Sequence, residues 1–123
     1  MGKLPERRTE AQVNFRKDLT LVLERVEQML ASKNLKYGDA ALNPKQTFSK
    51  SSPIELLNVR MDDKLSRIEN RQADEDEDPE LDLLGYLILK QIALMREKLK
   101  FAEEAAQSLK AEQDRQNQFA GAA

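Results

Sequence analysis

The stretch from Ser52 to Arg71 constrains this chain most, because its apolar and charged groups are sorted around one helix. At about 100° per residue, Ile54, Leu57, Met61, Leu65 and Ile68 fall on one narrow apolar face. One flank of that face carries Glu55, Asn58, Asp62 and Glu69, and the other carries Arg60, Lys64, Arg67 and Arg71. Ser52 reads as the cap, Pro53 as the first helical position and Glu55 as the closing member of a capping box. The helix is expected to run to about Asn70. Such a helix must bury its apolar edge against a neighbour. Its acidic flank suits hard cations and its basic flank suits phosphate.

The segments before it read in order. Residues 1–9 read as a flexible basic arm. Thr9 and Gln12 have capping-box spacing, so a helix is expected from Glu10. Phe15, Leu19, Val22, Val26, Met29 and Leu30 carry it to about Lys33, with Asn34 as the stop. Glu24 and Glu27 make an ExxE pair off that apolar face and read as solvated charges. Residues 34–52 show no period and read as a long loop, pinned by Tyr37 and Phe48 at its ends. Tyr37-Gly38-Asp39 is either a plain turn or one wall of a ligand pocket with Tyr37 available for stacking.

After the central helix, Gln72–Glu77 reads as a solvated acidic linker. Asp78 then caps a third helix with Pro79 at its first position. Leu81, Leu84, Ile88, Ile92, Met95 and Leu99 mark one apolar face, and Leu83, Leu87, Leu94 and Phe101 widen it. That width asks for more than one neighbour. Gly85 costs about 1 kcal/mol relative to alanine in mid-helix, which calls for a close helix crossing or space for a ligand. From Arg96 onward the residues read as a solvated helical extension or a weak oligomer contact, ending in a frayed tail.

These elements predict an all-α fold, an antiparallel bundle of three to four helices completed by oligomerisation as a homodimer or homotetramer. The functional domain is expected over 10–100, with an extension over 101–123. The chain has no cysteine and no histidine, which excludes thiolate nucleophiles, Ser-His triads and the usual zinc sets. Any metal chemistry rests on oxygen ligands, suited to Mg²⁺ or Mn²⁺. A net charge of −2 gives no basic field for nucleic acid. No apolar run approaches the roughly 20 residues that span a bilayer. The polar start gives no expectation of secretion, so a cytoplasmic location is expected.

If the helices flanking the linker pack antiparallel, Asp62 and Asp63 are expected to face Asp78 and Asp82. Carboxylates gathered so closely repel unless a cation neutralises them. A divalent ion with metal-activated water would then serve phosphoryl chemistry, a carboxylate acting as base. Lys64 and Arg67 would hold phosphate oxygens. A salt-bridged helix surface gives similar sorting, and that reading stays open beside the first.

Tyr37-Gly38-Asp39, Gln46-Thr47-Phe48, Arg60-x-x-Asp63-Lys64-x-x-Arg67 and Asp78-x-x-x-Asp82-Leu83-x-Gly85-Tyr86 together resemble the MazG-like, all-α nucleoside triphosphate pyrophosphohydrolases, particularly the compact phage-type forms. In that family, acids on two successive helices hold Mg²⁺ against a triphosphate, which is split to a monophosphate and pyrophosphate. The resemblance implies Asp63 and Asp82 as catalytic acids and Asp62, Asp63, Asp78, Asp82 and Glu55 as the metal set. It implies Lys64, Arg67 and Arg60 at the phosphates, and Tyr37, Asp39 and Tyr86 at the base or sugar. The chain departs from the pattern at Arg60 and Pro79, where the family carries acids; Asp78, Asp62 and Glu55 are the candidate replacements. The phage-type comparison points to dGTP and to a host cytoplasm. A non-catalytic nucleotide sensor of the same fold, or a helical interaction protein, are the alternatives.

Overall fold

The computed structural model describes residues 7–71 and 76–121. They form three helices, α1 (Glu10–Tyr37), α2 (Pro53–Glu69) and α3 (Pro79–Gly121), so the fold is all-α as expected. Most of the basic arm expected over 1–9, residues 72–75 of the acidic linker, and the last two residues lie outside the described residues. Two compact units divide between Ala41 and Leu42, α1 in the first and α2 with α3 in the second.

In the first unit, the capping box forms as the sequence predicts. Gln12 N–H donates to Thr9 Oγ1 at 3.2 Å and Thr9 N–H donates to Gln12 Oε1 at 2.9 Å. The stop expected at Asn34 is overrun by a turn, because the helix ends where the backbone turns left-handed. Gly38 does this at φ 63°, a conformation that a missing Cβ makes inexpensive. Asp39 follows, also at φ 63°. The Asn34 carbonyl accepts from both the Gly38 and the Asp39 N–H, the latter at 3.1 Å. Asn34 Nδ2 also donates to Asp39 Oδ1 at 2.5 Å. Asn34 therefore closes the helix from inside rather than terminating it.

The loop between α1 and α2 is shorter than expected, and aromatic contacts do not pin it. Phe48 is 94% exposed and Tyr37 60%. Polar contacts shape its end instead: Gln46 Nε2 donates to the Ser51 carbonyl, and Ser51 N–H donates to Ser49 Oγ at 3.2 Å.

In the second unit, Ser52 Oγ caps α2 by accepting from Glu55 N–H at 3.1 Å. Leu57 is buried to 1% exposure, while Ile54, Met61 and Ile68 are half-buried and Leu65 lies open at its edge. Leu57 thus marks the centre of the buried stripe. Asp78 starts α3 as predicted, its Oδ1 accepting from Leu81 N–H at 3.1 Å and its carbonyl from Asp82 N–H at 2.9 Å. Gly85 is buried in α3.

α2 packs on α3, but the two differ greatly in length. Their 17 and 43 residues correspond to about 25 Å and about 65 Å of helix. Roughly 40 Å of α3 therefore extends past anything α2 can cover. From Leu94 to Gly121 every residue of α3 is exposed. The tail expected to fray is helical through Gly121. No described helix is long and apolar enough to cross a membrane.

Candidate functional site

Where the end of α2 meets the start of α3, five charged side chains form one alternating chain of ion pairs. Asp63 Oδ2 lies 3.4 Å from Arg67 Nε. Arg67 NH1 donates to Glu77 Oε1 at 2.6 Å. The same Glu77 oxygen accepts from Lys64 Nζ at 2.9 Å, and Lys64 Nζ lies 3.3 Å from Asp82 Oδ2. The order Asp63–Arg67–Glu77–Lys64–Asp82 alternates in sign and leaves an excess of one negative charge.

Helical periodicity explains how α2 delivers two cations to one place. Lys64 and Arg67 are three residues apart and therefore neighbours on the helix surface. On α3, Glu77 sits one residue before the Asp78 cap and Asp82 lies in the first turn. The positive end of the α3 dipole favours carboxylates there. Lys64, Glu77 and Asp82 are each 16% exposed, whereas Arg67 is 40% and Asp63 60% exposed. The network is sheltered at its centre and wet at one end.

The electrostatics follow from this gradient. Burial alone would depress the Lys64 ammonium, but hydrogen bonds to Glu77 and Asp82, with their charges, outweigh it. Lys64 is held above the ordinary lysine value. The hydrogen bond from Lys64 holds the Glu77 carboxyl below the ordinary glutamate value; desolvation opposes this, and Arg67 adds to it. Both groups are thereby fixed in their charged forms at neutral pH.

The residues expected at the site divide into three groups. Asp63, Lys64, Arg67 and Asp82 belong to the network. Asp78 borders it, but one of its oxygens is engaged in capping. Asp62, Glu55 and Arg60 are exposed on α2, and Glu55 accepts from Asn58 Nδ2 at 3.3 Å. Tyr86 is half-buried on α3. Tyr37 and Asp39 belong to the first unit, where Lys36 Nζ lies 5.5 Å from the Tyr37 ring centre.

Two expectations need correction. The edge of α2 that pairs with the acids beside and on α3 is the basic one: Lys64 and Arg67 make those contacts, Asp63 joins through Arg67, and Asp62 is exposed. Crowded carboxylates here are neutralised by two side-chain cations, which removes the electrostatic argument that only a divalent ion makes them tolerable. Among the described residues, no three acidic side chains gather as metal ligands.

Glu77 is the member that sequence reasoning missed. It closes an acidic run that reads as solvated linker, and its role depends on lying directly before a capped helix. An acid immediately ahead of an Asp-Pro helix start is the signal that distinguishes it from the rest of the run.

Comparison with protein-family models, with curated proteins and with solved structures finds no match for this chain.

Proposed function

We propose that this chain is a metal-dependent pyrophosphohydrolase that converts a (deoxy)nucleoside triphosphate to its monophosphate and pyrophosphate. The observation that carries this reading is the sheltered network itself. It joins Asp63, Lys64 and Arg67 on one helix to Asp82 on the next, the residues that carry the family resemblance. Paired cations next to paired carboxylates are what a polyphosphate with a hard counter-ion requires.

The donor chemistry fits such an ion, because the acids offer only carboxylate oxygens and the chain has no histidine or cysteine. Asp63, Asp78 and Asp82 would hold Mg²⁺ or Mn²⁺, with Asp62 and Glu55 as further ligands. A bound divalent ion supplies positive charge to the polyphosphate and acidifies water near neutral pH. Lys64 and Arg67 would exchange carboxylate partners for phosphate oxygens, one anionic acceptor for another. Arg67 suits a two-pronged contact and Lys64 a point charge. Tyr86 would line the base or sugar end, and Arg60 would add a further phosphate contact.

The protein is read as a cytoplasmic homo-oligomer that shapes a nucleotide pool, with dGTP the first substrate to try. The test is incubation with each common ribo- and deoxynucleoside triphosphate and Mn²⁺, measuring pyrophosphate. Release from at least one substrate, lost in Asp82→Asn, is expected. No release from any of them overturns the reading. A specific observation also favours a non-catalytic nucleotide sensor: the acids already have cationic partners. Nucleotide binding that is indifferent to Mg²⁺ would decide for that alternative.

A further inference from the structure

Most of the ion-pair network is fixed by helical backbone. Asp63, Lys64 and Arg67 lie within α2, and Asp82 lies in the first turn of α3. Glu77 alone among its members stands outside both helices, in a turn. The start of α3 is closed without it: Asp78 Oδ1 accepts from Leu81 N–H, and the Asp78 carbonyl accepts from Asp82 N–H. Turning the Glu77 side chain away therefore breaks its contacts with two cations while both of those bonds stay in place.

The contacts of Glu77 have the form of an occupied anion seat. One oxygen, Glu77 Oε1, accepts from Lys64 Nζ at 2.9 Å and from Arg67 NH1 at 2.6 Å. Two cations that converge on one oxygen offer the same donors to a phosphate group, which carries more charge and three acceptor oxygens. The seat is approached from one side, since Arg67 and Asp63 lie at the wet end of the network and Lys64 and Glu77 at its sheltered centre. An anion arriving from water meets Arg67 first and reaches Lys64 by taking the place of Glu77. Charge disfavours binding beside Glu77 instead. The network already sets three carboxylates against two cations, and Lys64 keeps Glu77 ionised.

We propose that Glu77 is a built-in competitor for the phosphate seat formed by Lys64 and Arg67. Its carboxylate fills the seat in the resting protein and is displaced when a phosphate group of a polyphosphate binds. This role rests on the phosphate contacts proposed above for Lys64 and Arg67, and it makes Glu77 the residue that sets their affinity. A ligand with a single negative charge gains little by replacing one carboxylate with another. A polyphosphate, with charge on neighbouring groups, outcompetes it.

Calorimetric titration of the full chain with inorganic pyrophosphate, without metal, tests this. Glu77→Gln keeps the shape of the side chain and leaves a neutral acceptor where a charged one stood. It is expected to bind pyrophosphate about tenfold more tightly than the parent. Glu80→Gln removes the same charge from an exposed position in the first turn of α3, outside the network, and should change the affinity little. Adding Lys64→Ala to Glu77→Gln should abolish the gain. In the parent protein, the carbon resonance of the Glu77 carboxylate should shift as pyrophosphate is added, because the group leaves its two cations. Unchanged or weaker binding in Glu77→Gln overturns the proposal, since Glu77 then only braces the cations. So does a gain matched by Glu80→Gln, which reports net charge alone, or a Glu77 resonance unmoved by bound pyrophosphate. Turnover is read in none of these measurements. A chain that releases no pyrophosphate from nucleotides but binds it more tightly as Glu77→Gln keeps this competitor and loses the enzyme; an active chain without the gain does the reverse.

Discussion

The two ends of α3 solve opposite problems. At its start, α3 lies against α2, and charged side chains sheltered from water are matched one against another. Towards its C-terminus, α3 is exposed among the described residues, and apolar side chains stand in water while the charges beside them lie open. The same helix is therefore packed against a neighbour at one end and open to water at the other. Burial, rather than secondary structure, is what separates a region that can host chemistry from one that can host a partner.

The sharpest way to test that contrast is to empty the packed end. Leu57→Ala removes the most buried side chain of the second unit and is expected to destabilise it by about 2–5 kcal/mol, measured by denaturant unfolding. Phe119→Ala, at 87% exposure, should stay within about 0.5 kcal/mol of the parent. Equal losses would erase the distinction between the two ends.

Activity should divide the same way. Asp82→Asn is expected to lower pyrophosphate release by about a hundredfold, while Glu104→Gln, on the open part of α3, leaves the rate unchanged. Comparable effects of both would place the chemistry elsewhere.

A smaller effect is expected from the network cations. Lys64→Ala leaves Glu77 and Asp82 as sheltered neighbours without the cation between them, so the melting temperature should fall. Lys64→Arg should recover most of the loss, and Lys110→Ala should change little. A melting temperature unmoved by Lys64→Ala would show that the ion pairs contribute nothing to stability.

The smallest effect lies in the pH dependence. Glu77 is depressed in the folded state, so its stabilisation is present above the ordinary glutamate value of about 4.3. It is lost as pH falls through the lower folded value. Lys64 is raised, so its stabilisation is complete below about 10.4 and is lost as pH rises through the higher folded value. Stability should therefore be level between these limits. Glu77→Gln should flatten part of the acid limb and converge with the parent in strong acid. Unaltered acid limbs in melting curves taken across pH would contradict the role given to Glu77.

Much of this molecule was legible in the sequence. Thr9 with Gln12, Ser52 and Asp78 announced the three helix starts, because a capping side chain bonds to backbone three residues away and needs nothing distant. The apolar spacing of α2 located its buried stripe and put Leu57 at the centre. Helical spacing put Lys64 and Arg67 three residues apart on one flank of that stripe.

What periodicity leaves open is rotation. The pattern of α2 places its acidic and basic edges on either side of one stripe, yet either edge could turn towards α3 with the same residues buried. Tertiary packing chose the basic edge. That choice brought Glu77 out of an acidic run and into partnership with Lys64 and Arg67, and it left Asp62 in solvent. It also decided that Gly85 would be closed off and Phe48 left open. Helix starts and apolar stripes are written locally, since their bonds span three or four residues. Which charges meet across two helices depends on how those helices are turned, and only packing sets that angle.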